Sequence, residues 1–75
     1  MEETRYKDYL KRVGSNVRKA RILKGLSMEA TANEADIEYR QLGRIERGEV
    51  NTTILSLLKI AEALKVSVTE FFLSE

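Results

Sequence analysis

The sequence predicts an all-α fold of four or five short helices in one small domain. Three observations carry this expectation. No proline occurs in the 75 residues, and proline is the residue that a helix interior tolerates least. Apolar residues recur at three- and four-residue spacing rather than in strict alternation, which is the period of a helix with one buried face. The breaks between periodic stretches carry glycine or short Ser, Thr, Asn and Asp clusters, the residues that cap and end helices.

The first helix is expected over about residues 6–24. Tyr6, Tyr9, Leu10, Val13, Val17, Ala20 and Leu23 share one broad face, Arg21 falls on that face beside Val17 and Leu10, and Ile22 falls off it. Gly25 follows and reads as a C-terminal glycine. Ser27 is an N-cap for a second helix over 28–34, and Asp36 closes it in a tight turn, Asp being more tolerant of left-handed backbone than most residues. Ile37 anchors that turn. A third helix covers 38–47, with Leu42 and Ile45 as its core side and Gly48 as its end. Asn51, Thr52 and Thr53 make a turn and cap before a fourth helix over 54–64, whose expected stripe is Ile54, Leu57, Leu58, Ala61 and Leu64. Leu55 and Ile60 lie off that stripe, so the helix is apolar nearly all round, as in a central helix or one that meets a partner. Thr69 is expected to cap a last short helix at "EFFL".

Composition removes several classes of function. There is no cysteine, which excludes disulfides, thiolate zinc sites and redox motifs. There is no histidine, the commonest acid–base group and metal ligand. A catalytic site would need carboxylates paired in a cleft, and no spacing suggests one. The expectation is a non-enzymatic protein with no metal, no cofactor and no evident small-molecule ligand. No apolar run approaches the roughly 18–20 residues that cross a bilayer, and the charged start "MEETRYKDYLKR" is unlike a signal peptide. A soluble, cytoplasmic protein away from membranes is therefore expected. The formal net charge of +1 hides an asymmetry: residues 1–25 hold eight Lys and Arg against three acidic residues, and the rest of the chain is net acidic. Such a basic side is either solvated or turned towards phosphates.

The segment "EYRQLGRIERG", residues 38–48, concentrates the question. At the helical period Arg40, Arg44 and Arg47 lie on the side away from Leu42, around Gly43. A glycine inside a helix costs about 1 kcal/mol against alanine, and close approach of another molecule to the backbone would offset that. Forked guanidinium donors beside a flat spot suit the DNA major groove, where arginine pairs with guanine O6 and N7; a solvated arginine face is the plainer alternative. Glu46 falls beside Leu42 and Ile45, where an unpaired carboxylate would be costly. Arg21, also on an apolar face, is its expected partner in an ion pair that ties the first helix to the end of the third. Two independent surface charges are the alternative.

The block "LSMEATANEADIEYRQLGRIERGEVNTTILSLLKIAEALKVSVTEFF" resembles the phage-repressor/Cro-type helix-turn-helix family, also called the xenobiotic-response-element family. The likeness runs over about residues 13–72, and "RIERGE" followed by "LLKIAEAL" is its most specific part. The resemblance implies a compact five-helix bundle of the lambda-repressor-like type over residues 13–73, with residues 1–12 extending the first helix. It implies binding of operator DNA as a symmetric dimer, residues 28–35 forming the first helix of the motif and 38–47 the recognition helix. The base-reading positions would be Glu38, Tyr39 and Arg40, with Arg44 one turn on, and the Arg21–Glu46 pair is a family feature too. Met28 stands where a glutamine often meets a phosphate, which leaves its backbone N–H for that role. Thr31 and Ala20 replace core leucines, Asp36 replaces the turn glycine, and Glu38 replaces a Ser/Thr cap.

Ser27, Met28, Arg47, Asn51 and Thr52 sit at helix ends or turns suited to phosphates, and Arg18 and Lys24 join them as phosphate candidates. Leu55, Ile60, Val68, Phe71 and Phe72 are the expected dimer interface, the alternative being that those after the fourth helix only close the core. The function expected is sequence-specific transcriptional regulation, as a repressor whose helix 38–47 enters the major groove of a palindromic double-stranded operator as a homodimer. The rival is an antitoxin or protein-interaction module of a toxin–antitoxin or mobile-element system.

Overall fold

Four α-helices and a closing 3₁₀ turn follow one another: α1 Glu2–Leu23, α2 Met28–Ala35, α3 Tyr39–Glu46, α4 Ile54–Leu64 and the turn Val68–Phe72. The computed structural model describes residues 2–73, and of residues 2–4 the backbone only. The fifth helix expected from the resemblance is this single 3₁₀ turn, and its cap is Ser67, whose Oγ accepts from the Thr69 N–H at 3.3 Å, rather than Thr69. Among the described residues no helix is long and apolar enough to cross a membrane.

All four helices end alike, with one residue in left-handed backbone. Gly25 (φ 72°), Asp36 (φ 59°), Gly48 (φ 71°) and Lys65 (φ 59°) hold these places. After each, the next N–H returns to a carbonyl in the last helical turn: Leu26 to Arg21, Ile37 to Ala32, Glu49 to Arg44 and Val66 to Ala61, at 2.9–3.2 Å. These bonds satisfy carbonyls that the helix itself leaves open. The starts of α2 and α4 are fixed by hydroxyls, whereas Glu38 at the start of α3 makes no side-chain cap bond. Ser27 Oγ accepts from Ala30 N–H and Thr53 Oγ1 from Ser56 N–H, each at 3.0 Å.

The core gathers Val17 and Ala20 of α1, Ala32 and Ala35 of α2, Leu42 and Ile45 of α3, Leu57, Ile60, Ala61 and Leu64 of α4, and Phe71. This corrects the expected phase of α4. Ile60 is fully buried, whereas Ile54 and Leu58 are exposed. A helix with apolar residues on nearly every side has no phase of its own, and packing against α2 and the 3₁₀ turn selects the Leu57–Ile60–Ala61–Leu64 side. The apolar face of α1 is also narrower than expected: Tyr6 and Tyr9 are exposed, and Leu23, the last residue of the helix, is 86% exposed. Asn16 clips the C-terminal end onto α1, its Nδ2 donating to the carbonyls of Phe71 and Leu73 at 3.0 and 2.8 Å.

Two glycines bring α3 hard against α1. A Cβ on Gly14 would collide with the Ile45 carbonyl oxygen and lie 2.7 Å from that of Glu46. A Cβ on Gly48 would lie 2.6 Å from Lys11 Cα. Only a residue without a side chain permits either approach.

Candidate nucleic-acid interface

The orientation of α3 is set from its buried side. Leu42, Ile45 and Glu46 face inward. Arg21 Nε donates to Glu46 Oε2 at 2.7 Å and Nη2 donates to Oε1 at 3.0 Å, with the two side chains only 10% and 4% exposed. Arg21 Nη1 also donates to the Leu26 carbonyl at 3.0 Å, so the guanidinium joins α1, the α1–α2 turn and α3. The hydrogen bond to Glu46 raises the Arg21 pKa above the usual arginine value and outweighs burial, which acts to lower it.

With that side fixed, Glu38, Tyr39, Arg40, Gln41 and Arg44 are exposed on the other. Glu38, Arg40, Gln41 and Arg44 line an open groove of about 310 Å³ whose far wall is Val50 and Asn51. Among the described residues no carboxylate pairs with Arg40 or Arg44. The groove thus gathers three of the four expected base-reading positions and one expected phosphate ligand, Asn51. Tyr39 is exposed but does not line it. Gln41 and Val50 are additions that the arginine pattern hides. Gln41 sits beside Arg40 on the same helix, its amide is a type that reads adenine, and Nε2 makes a long 3.5 Å hydrogen bond to Ser56 Oγ.

Gly43 is not an open flat spot. It is buried, and a Cβ there would meet Met28 Cε at 3.2 Å and Arg47 Nη1 at 3.1 Å. The close approach that glycine allows is between α3 and the protein's own side chains. Met28 is accordingly half-buried over α3, and only its main chain remains suited to a phosphate.

The other phosphate candidates differ in their circumstances. Ser27 is exposed, its oxygen engaged as the α2 cap. Asn51 is exposed and Thr52 half-buried in the α3–α4 loop, while Arg18 and Lys24 are exposed on α1 and just after it. Arg47 is already partnered: Nε and Nη2 donate to Glu49 Oε2 and Oε1 at 2.9 and 3.3 Å. That contact holds the Glu49 carboxyl below the usual carboxylate range and raises Arg47.

Of the residues expected at a dimer interface, Leu55 and Phe72 are exposed and Val68 is half-buried. Ile60 and Phe71 are fully buried within the chain itself, where neither can touch a second copy. Ile54, Leu58 and Leu73 are further exposed apolar residues, outside the set expected from the sequence. A groove of about 490 Å³ runs past Tyr9, Val13, Ile54 and Phe72.

Two short helices, joined at the left-handed Asp36 and presenting the second outward, define a helix-turn-helix protein. The helix-turn-helix family HTH_3 matches residues 17–71, and the chain belongs to that family of DNA-binding regulators. It is 38% identical over 63 residues to the uncharacterised HTH-type transcriptional regulator y4dJ of Sinorhizobium fredii (strain NBRC 101917 / NGR234), covering 84% of this chain and 82% of that one. The fold is similar to the restriction-modification controller protein C.AhdI from Aeromonas hydrophila, with TM-score 0.82 and 35% identity over 84% of this chain and 96% of that chain. It is also similar to an HTH_3 family transcriptional regulator from Vibrio cholerae, with TM-score 0.84 and 36% identity over 89% of this chain and 38% of that longer chain.

Proposed function

We propose that this DNA-binding regulator is a repressor that recognises a two-fold-symmetric operator as a homodimer, with α3 in the major groove. The observation that carries the reading is the outward face of α3. Arg40 and Arg44 are exposed and free of carboxylate partners among the described residues, around a groove shared with Glu38, Gln41 and Asn51. A pinned helix presenting two guanidinium forks suits guanine edges; Glu38 can accept from cytosine N4, and Gln41 can pair with adenine. Asn51, Thr52 and the backbone N–H groups at the start of α2 suit the flanking phosphates. Leu55, Leu58, Phe72 and Leu73 form exposed apolar surface on α4 and the C-terminal end, the surface we assign to the second copy.

Selection of bound sites from random duplex DNA with the full chain tests this. A palindromic site with half-sites about one helical turn apart is the expected result. Failure to enrich any sequence, together with a stoichiometric protein partner in a pull-down, would favour a protein-interaction module instead. Sedimentation of Leu55→Glu and Phe72→Glu variants tests the dimer: both are expected to shift towards monomer, and an unchanged assembly would place the interface elsewhere.

A further inference from the structure

We infer that Lys7 and Lys11 hold a phosphate of the DNA backbone beside the operator, so that α1 grips the duplex together with the α3–α4 loop. The inference rests on the DNA-binding reading of α3 and adds a contact that reading does not require. Both lysines lie on the part of α1 that precedes the family-matched segment, which starts at Val17.

The geometry comes first. Lys7 and Lys11 line one wall of a groove of about 680 Å³, and Arg47 and Asn51 line the other. Val50 and Asn51 belong both to this groove and to the one on α3, so the two run together across the loop. A backbone lying along that loop would border both. The wall is also fixed in place. Gly48 rests directly on the backbone of Lys11, within 2.6 Å of Lys11 Cα for any added Cβ, which couples this stretch of α1 to the end of α3. The lysines therefore stand at a set position relative to the base-reading face.

Charge identifies the occupant. Lys7 and Lys11 are one helical turn apart on the same face, an arrangement in which like charges repel. Among the described residues no carboxylate pairs with Lys11. The neighbouring cations are accommodated differently: the Arg5 guanidinium lies 5.8 Å from the Tyr6 ring centre and that of Arg12 lies 5.5 Å from the Tyr9 ring centre. Glu49, the acidic residue in the groove wall, is already held by Arg47. Arg47 and Glu49 offset each other, which leaves two ammonium groups on the groove, with the Asn51 amide as a further donor. A tetrahedral anion satisfies that set, and an ammonium binds phosphate as a point charge without needing the planar fork of arginine. Continuity with the α3 groove makes the duplex backbone its source.

The test compares the full-length Lys7→Gln, Lys11→Gln double variant with the wild type on two duplexes, the selected operator and a random sequence, across a salt series. Glutamine keeps a helix propensity close to that of lysine, so the change is one of charge. Affinity is expected to fall by the same factor on both duplexes, and the slope of log K against log salt to shrink by about 0.9 for each phosphate that the protein no longer neutralises. The Lys7→Arg, Lys11→Arg variant is expected to restore both. An Arg44→Ala variant measured alongside separates the two ideas. If it loses operator discrimination while the glutamine variant keeps the wild-type affinity and slope, the proposed contact is overturned and the reading of α3 stands. A wild-type chain that binds neither duplex would overturn both.

Discussion

Arg21 and Glu46 meet across the α1–α3 contact as a two-pronged ion pair, 2.7 and 3.0 Å, with the remaining guanidinium nitrogen on the Leu26 carbonyl. Each charge is buried and each depends on the other. Removing one partner leaves an uncompensated charge inside the fold, which costs about 3–5 kcal/mol, a large part of the roughly 5–15 kcal/mol that holds a domain together. Glu46→Ala is expected to lower Tm by more than about 10 °C. The double variant Arg21→Met, Glu46→Leu is expected to return close to wild type, since an apolar pair of similar volume is often as stable. A Glu46→Ala protein that melts normally would mean that the carboxylate is solvated. The Arg21 pKa is raised, so its stabilisation is whole below the ordinary arginine value and is lost only as pH rises through the raised one. No loss from this arginine is expected between neutral and moderately alkaline pH.

Gly14 lies on α1 under the last turn of α3. Alanine is the better helix former by about 1 kcal/mol, and α1 taken alone would make Gly14→Ala stabilising. The added Cβ, however, meets the backbone oxygens of Ile45 and Glu46, which cannot turn aside as a side chain would. The helices must separate, and overpacking of this kind costs about 1–3 kcal/mol. A lower Tm and weaker operator binding are expected together. A higher Tm would show that α1 and α3 do not touch here.

Thr31 is fully buried in α2, and its Oγ1 has no hydrogen-bond partner among the described residues. A buried hydroxyl without a partner carries a desolvation cost of about 1–3 kcal/mol. Thr31→Val keeps the branched shape and removes the polar atom, so a gain of about 1 kcal/mol is expected in urea denaturation. A loss would show that the hydroxyl is satisfied, for instance by a carbonyl one turn back.

What the sequence reveals of this fold is what is local. Gly25, Asp36 and Gly48 mark three of the four helix ends because glycine and aspartate carry the left-handed turn in their chemistry. Lys65 performs the same turn and gives no sign of it. Arg40 and Arg44 are legible as outward because Leu42 and Ile45 are plainly inward on the same short helix. The phase of α4 is not legible, because Ile54, Leu55, Leu58 and Ile60 offer equally apolar sides and only α2 and the 3₁₀ turn decide among them. Gly14 and Gly43 are illegible for a related reason: what a missing side chain makes room for is a neighbour distant in sequence, or one that folds back over it. The Arg47–Glu49 pair, two residues apart, is visible in "RGE" and easily passed over when the arginine is taken to be free.

That pair yields a test of where the duplex runs. Both side chains are about half exposed, so the bond adds little to stability. The depressed Glu49 pKa means that whatever it adds is present above the usual carboxylate range and is lost as pH falls through the depressed value. Its larger effect is on DNA: Glu49→Gln removes an anion and releases Arg47 towards a phosphate. Affinity is expected to rise by the same factor for operator and random duplexes. Unchanged affinity on both would place Arg47 and Glu49 away from the backbone.

Arg44 is the position at which specificity and affinity should part. It is exposed one turn into α3, in the groove with Arg40 and Gln41, and among the described residues no carboxylate competes for it. A guanidinium that reads guanine O6 and N7 contributes about 1–3 kcal/mol of discrimination. A guanidinium that meets only phosphates contributes equally to every sequence. Arg44→Ala is therefore expected to weaken operator binding by roughly five- to more than a hundredfold and random-duplex binding much less. Repeating the site selection with the variant should relax one base pair in each half-site and leave the others as they were. Equal weakening on both duplexes would reassign Arg44 to the phosphates, and base reading would then fall to Arg40 and Gln41.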